Sequence, residues 1–411
     1  MTSLEPCPLP MTFRYVFCHA LLLAGCSTST EITQPVAISR ILPAAWNAKA
    51  AGDKVMASLI KVTGPEIKGA HDSHLAIIGD RAFVISEVNE RQAGEAASWP
   101  FIYTALSIID LQTSQVLDVM TVARSEQAFA NETLPVGACF VPRVKQVGPQ
   151  TLRCWFASEQ PGKRQSQTYY RDLDLRTMTF EAEIHRMKLK TADGLFDLQP
   201  QYLHADAAKQ GFKRKPSDAG VYMFDNFKQL DGQTYIAINN YLGAQQALCT
   251  MNAVADTLEI IGHFNGPGEP ALTEPAVNRL PDGSWLAISR KENGDRNYWF
   301  SESKDGKTWT TGGAKDFVKN GTASKPTFDK FHGVYYIGWQ ERTTIEKVGR
   351  SVFNLDVSKD GKAWERKYRF ETTKSFQYPT FVEDKGAIWL CVTQGDSDSS
   401  RKERIMFGRL E

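Results

Sequence analysis

The chain has 411 residues, 42% hydrophobic and 23% charged, a globular composition that excludes a disordered, collagen-like or coiled-coil protein. Its 48 Lys and Arg against 47 Asp and Glu leave a net charge of +1. No whole-molecule field therefore draws nucleic acid or an anionic membrane, and an anionic ligand has to be held by a local cluster of cations.

Read from Met11, the N-terminus places Arg14 before a short apolar stretch through Phe17 and Leu21 to Leu23, ending at Ala24-Gly25-Cys26. This order of basic region, apolar run too short to span a bilayer and small-residue cleavage site is that of an export signal. Leu23-Ala24-Gly25-Cys26 resembles the bacterial lipobox, which implies a lipidated Cys26. The expected organisation is an address over 1–26 with its true start at Met11, a flexible tether rich in Ser, Thr and Ala over 27–54, and one domain over 55–411. The expectation is thus an exported lipoprotein of the outer membrane, periplasm or cell surface, monomeric, touching the membrane only through its lipid. Beyond the address lie Cys139, Cys154, Cys249 and Cys391. Cys139 and Cys154 flank a hairpin turn at Gly148-Pro149, so they read either as an oxidised pair or as small buried hydrophobes. No metal-type Cys/His spacing occurs, and no metal or cofactor is expected.

Six repeated units follow in chain order. Each opens on a strand carrying a Pro or a small polar residue, then a Gly-containing turn and a second apolar strand. The openings are His74 to Asp80, Ala138 to Pro142, Tyr222 to Phe224, Glu274 to Val277, Lys325 to Phe328 and Tyr378 to Phe381. The last unit holds only three strands, and Ala57 to Val62 is the natural donor of a fourth, which would remove an exposed edge. A stretch over 188–217 is too long for an ordinary loop and reads as an insertion or a lid, so His204 and Asp206 would reach a site only in the second case.

Two segments match closely: Ser303-Lys304-Asp305-Gly306-Lys307-Thr308-Trp309 and Ser358-Lys359-Asp360-Gly361-Lys362-Ala363-Trp364. Each lies between strand-forming runs, where Asp accepts backbone N–H bonds, Gly permits positive φ and Trp packs beneath the turn. This Ser-x-Asp-x-Gly-x-x-Trp pattern resembles the Asp box, or BNR repeat, of the sialidase superfamily. The resemblance implies an all-β, six-bladed propeller of four-stranded antiparallel blades, with Asp305, Gly306, Trp309, Asp360, Gly361 and Trp364 as scaffold.

In propellers a ligand sits at one end of the central channel, near the starts of the innermost strands. The candidates there are His71, Asp72, His74, Arg143, Tyr222, Asp225, Glu274, Arg290, Lys325 and Tyr378. Glu274 to Arg290 resembles the sialidase segment in which a Glu precedes an Arg near the end of the next strand. The family then implies that Glu274 polarises a Tyr nucleophile, that Tyr378 in Gln377-Tyr378-Pro379 is that nucleophile, and that Arg290 belongs to a triad gripping the substrate carboxylate. A carboxylate nucleophile would be repelled by an acidic sugar; a Tyr activated by Glu is not.

The chain departs from the family at two points. Ala70-His71-Asp72-Ser73-His74 stands where a Phe/Tyr-Arg-Ile-Pro motif is expected, and Lys325 stands where the third arginine would come. Glu87, Glu90 and Glu95 lie where the catalytic acid is expected, and spacing singles out none of them. His71 and His74 can serve as acid or base with Asp72 orienting them, while Arg290, Lys325 and Arg143 would bind the anion. Three functions stay open: a sialidase-like, exo-acting glycosidase on a carboxylated or sulfated glycan, a polysaccharide lyase using His and Tyr on a uronate, and a non-catalytic glycan-binding propeller.

Overall fold

A computed structural model describes residues 40–411 apart from 95–98, 160–165, 267 and 397–400. The address, Cys26 and Glu95 lie outside the described residues. Among those described, the strands pair into six sheets, an all-β propeller with two helices attached. Sheet one runs Gly69–Ile78, Arg81–Asn89, Tyr103–Asp110, Val116–Ala123, each strand antiparallel to the next. Sheet two is led by Ala138–Gly148, Thr151–Glu159 and Gln167–Asp174. Sheet three is built on Val221–Tyr222, Gln233–Asn240, Gln245–Met251 and Thr257–Phe264. Sheet four joins Leu272–Arg279, Trp285–Lys291, Tyr298–Ser303 and Trp309–Gly313, and sheet five joins Thr327–Phe331, Val334–Gln340, Val352–Ser358 and Glu365–Glu371. Sheet six holds Gln377–Asp384, Ala387–Gln394 and Arg404–Arg409.

The fourth strand of sheet six is Ile60–Lys61, paired with Phe407 and Met406, so the start and the end of the ring share one sheet. Apolar faces of neighbouring sheets meet between them. Phe83 and Leu106 pack against Phe156 from sheet two, Ile288 against Phe328 and Trp339 from sheet five, and Val84 against Phe407 from sheet six. Middle strands such as Arg81–Asn89 are buried on both faces, which is why they read as near-continuous apolar runs and not as an alternation.

One expectation changes and two open alternatives are decided. The tether was drawn to Lys54, but Ala48–Ala57 is an α-helix capped by Asn47, with Val55 buried in the apolar cluster shared by sheets five and six. The insertion over 188–217 is no lid: Lys188–Thr191 adds in parallel to the outer strand Thr257–Phe264, Gly194–Asp197 pairs beside it, and helix Pro200–Lys209 packs on the same sheet. His204 there contacts Asn240 Oδ1 and the Arg214 carbonyl, each at 3.0 Å, and Asp206 pairs with His263 at 2.8 Å. Cys139 and Cys154 are both free and buried; their ladder partners are Ser158 and Val144, so the two thiols do not face each other.

The two Asp boxes join the third and fourth strands of sheets four and five. Asp305 Oδ1 accepts from Lys307 N at 2.8 Å and Thr308 N at 2.9 Å; Asp360 Oδ1 accepts from Lys362 N at 2.8 Å and Ala363 N at 2.9 Å. Gly306 and Gly361 supply φ of +77° and +73°, and Trp309 Nε1 donates to the Gly306 carbonyl at 2.8 Å. Each carboxylate satisfies two backbone donors, as a helix N-cap does. Asp305→Ala and Asp360→Ala are each expected to cost about 1–2 kcal/mol. The losses should add in the double variant, because the boxes sit in different sheets, and urea unfolding curves measure both.

Candidate functional site

The first strands of four sheets share one irregularity. The ladder register shifts between His71 and His74, Phe140 and Arg143, Thr273 and Ala276, and Gln377 and Thr380. At each shift one residue has a left-handed backbone: Asp72 at φ +40°, Val141 at +51°, Glu274 at +49° and Tyr378 at +52°. These are β-bulges, and each turns an extra side chain toward the channel. Pro142, Pro275 and Pro379 follow three of them, at positions where a missing N–H costs no ladder bond.

The bulge residues enclose a cavity of about 270 Å³, with walls formed by His71, Glu87, Phe140, Tyr222, Phe224 and Tyr241 around Glu274, Arg290, Arg350 and Tyr378. Tyr378 Oη donates to Glu274 Oε1 at 2.5 Å; Arg290 Nη1 reaches the same oxygen at 2.9 Å and Tyr378 Oη at 2.8 Å. Burial, with the Glu274 charge, holds the Tyr378 hydroxyl well above its ordinary range, against the pull of Arg290 and Arg350. Arg290 is steadied from behind by Glu292, 2.9 Å from its Nε. Tyr378 is therefore a phenol at rest whose proton already points at a carboxylate.

Asp72 also lines the cavity, but both of its oxygens are occupied. Lys325 Nζ donates to Oδ1 at 2.6 Å and Arg143 Nη1 to Oδ2 at 3.1 Å, with all three side chains at most 3% exposed. Burial pushes the Asp72 carboxyl up, yet Arg143 and Lys325 outweigh it and hold it down at about 2. This changes the expected roles of three residues: Arg143 and Lys325 are ion-paired inside the channel, absent from the cavity wall, and Asp72 is the single counterion the two cations share. His74 is corrected too. The bulge places it beyond Asp72, where it lines a second cavity of about 450 Å³ toward the other end of the channel and contacts Val144 N through Nδ1. Asp225 lies in that direction as well, bonded to Lys228 at 2.9 Å. His71 remains at the site, its ring 4.3 Å from that of Tyr378.

Sequence reasoning missed Arg350, Tyr241, Phe140, Phe224 and Lys402. Arg350 sits between the second and third strands of sheet five at φ +53°, away from any strand start, so no periodicity marks it. Its guanidinium lies 5.8 Å from the Tyr378 ring centroid and donates to Gln377 Oε1 at 3.0 Å and to the Ala323 carbonyl at 2.8 Å. Among the described residues no Asp or Glu forms an ion pair with it.

No family model and no curated protein sequence matches the chain. Solved structures do share its fold. A protein of unknown function from Dyadobacter fermentans superposes with a TM-score of 0.60 at 10% identity, over 85% of this chain and 97% of that one. Trypanosoma rangeli sialidase in complex with sialic acid gives 0.55 at 12% identity, over 86% of this chain but only 57% of its own length. A mutant of NanB sialidase from Streptococcus pneumoniae gives 0.53 at 11%, over 86% and 70%. The chain thus has a sialidase-like fold, far diverged in sequence.

Asp72→Asn would leave Arg143 and Lys325 buried without a counterion, an expected loss of about 3 kcal/mol at neutral pH, which matches a carboxyl held at about 2 instead of about 4. The sign with pH follows from a carboxyl whose folded value, about 2, lies below its unfolded value of about 4. Its contribution is complete above about pH 4 and is lost as pH falls through about 2. Urea unfolding at a series of pH values should show the gap between wild type and variant closing over that window.

Proposed function

We propose that the six sheets are the blades of one six-bladed sialidase-like propeller, and that its cavity is the site of an exo-acting glycoside hydrolase for an acidic glycan. The observation that carries this reading is the Tyr378–Glu274–Arg290 contact set. As Tyr378 Oη attacks an anomeric carbon, its proton passes over 2.5 Å to Glu274 Oε1, and Arg290 holds both oxygens in line. A phenol brings no negative charge to a substrate that bears its own anion. That anion meets Arg290 and Arg350, and among the described residues the hydrogen-bond partners of Arg350 are neutral acceptors, which leaves its charge for a ligand. A cavity of about 270 Å³ falls just below the 300–1,000 Å³ of ordinary ligand pockets, a size for one terminal sugar. Aromatic rings of Phe140, Phe224 and Tyr241 offer faces for its C–H edges.

The test is turnover of mixed acidic glycans, followed by release of reducing ends. Tyr378→Phe and Glu274→Gln should each lower kcat by about 10²–10⁴-fold, with thermal stability nearly unchanged in Tyr378→Phe and reduced in Glu274→Gln, where buried Arg290 loses one of its carboxylates, and full activity in both would overturn the assignment. Arg350→Ala should act mainly on KM. The close approach of His71 to Tyr378 favours a lyase as the second reading, and a gain in absorbance at the unsaturated-uronate band would select it. Binding without either product would leave a glycan-binding propeller.

The Leu23-Ala24-Gly25-Cys26 motif supports export of this activity on a lipid anchor. Cys26→Ser expressed in a bacterial host should move from the membrane to the soluble fraction, and unchanged fractionation would remove the anchor from the reading.

A further inference from the structure

A hydrolase of this kind needs a proton donor for the departing oxygen, and neither Tyr378 nor Glu274 can fill that role while they exchange a proton with each other. We propose that His71 is this donor and that Glu87 is the carboxylate that positions it, a step that rests on Tyr378 as the nucleophile. His71 and Glu87 stand directly opposite each other in the ladder between the first two strands of sheet one. Directly paired residues project from the same face with their Cβ atoms roughly 5 Å apart. Both side chains line the cavity, and each residue is 2% exposed.

Other groups at the cavity are committed elsewhere. Asp72 is shared between Arg143 and Lys325, and Glu274 takes the Tyr378 proton; Glu90, outside the cavity, accepts from Tyr103 Oη at 2.7 Å on the exposed side. Glu87 Oε2 accepts from the Val141 amide at 3.1 Å, which fixes the carboxylate in place beside His71 and suits it to a positioning role. His71 Nδ1 contacts Thr393 Oγ1 at 3.0 Å, and its ring lies 4.3 Å from the nucleophile's at a tilt of 56°, beside the bond that must break. The other charged groups that line this cavity are Asp72, Glu274, Arg290, Arg350 and Lys402, and Glu87 is the carboxylate paired with His71 across the ladder.

In the first step the imidazolium gives its proton to the glycosidic oxygen as the C–O bond breaks and the Tyr378–carbon bond forms, with the phenol proton going to Glu274. In the second, neutral His71 takes a proton from water, the hydroxide oxygen bonds to the anomeric carbon, and Tyr378 leaves and recovers its proton from Glu274. Both groups end as they began.

A poor leaving group needs this acid and a good one does not. The probes are 4-methylumbelliferyl α-glycosides of sialic, glucuronic and galacturonic acid, compared with the methyl glycoside of whichever acid is released. His71→Gln should lose about 10²–10⁴-fold on the methyl glycoside and less than about tenfold on the aryl one. In Glu87→Gln the alkaline limb of the kcat/KM profile should move to lower pH, together with the His71 imidazole titration followed by NMR. Equal losses on both glycosides, or a His71 titration that does not move in Glu87→Gln, would overturn the donor assignment. No release of any aryl glycoside by the wild type would instead overturn the hydrolase reading beneath it.

Discussion

The centre of the molecule depends on one carboxylate. Asp72 lies in the channel where first strands from different sheets converge, and it holds Lys325 from the fifth unit and Arg143 from the second by ion pairs of 2.6 and 3.1 Å. Three charges removed from water add little net stability, because desolvation takes back most of the Coulomb attraction. Their value is geometric: with both oxygens engaged, Asp72 can sit in only one place, and the strands that carry its partners are registered against it. Tyr378 stands on this platform, with Lys325 Nζ 5.3 Å from its ring.

The bulges supply the second constraint. Four non-glycine residues at corresponding positions hold left-handed backbones, at about 1–3 kcal/mol each. A regular strand would send alternate side chains into the sheet interfaces and leave the channel mouth bare. The extra residue in each bulge breaks that alternation and aims Asp72, Val141, Glu274 and Tyr378 at one point. Strain repeated in four sheets and centred on one cavity is a cost the apolar cores between sheets offset elsewhere, in return for groups already aligned before a ligand arrives.

What the sequence revealed follows from how local each signal is. The Asp boxes are complete within seven residues, so their turn chemistry is readable without the fold. Glu274 and Tyr378 were legible because each opens a repeated unit and stands where the resemblance to the sialidase segment puts a Glu and a Tyr. Lys325 and Arg143 look in sequence like free cations at unit starts; the carboxylate they share lies 253 and 71 residues away. His71 and His74 read as a pair because three residues separate them, and the bulge between them sends them to different cavities. The Ala-rich stretch before Val55 reads as a tether by composition, yet Ala is the best helix former, and an apolar cluster was waiting for its buried face.

Charge balance looks different at the scale of the site. A net charge of +1 over 411 residues says only that no global field exists. In the channel, Arg143 and Lys325 share the one carboxylate of Asp72, and Arg290 lies between the two carboxylates of Glu274 and Glu292. Arg350 differs, because its contacts to Gln377 and Ala323 fix its position without neutralising it. A guanidinium held by neutral acceptors at the edge of a small aromatic-walled cavity has paid much of its desolvation in advance, so an incoming anion gains the pairing energy without a competing carboxylate. In the proposed reading, selectivity for an acidic ligand rests on where this cation stands, and the number of cations is secondary.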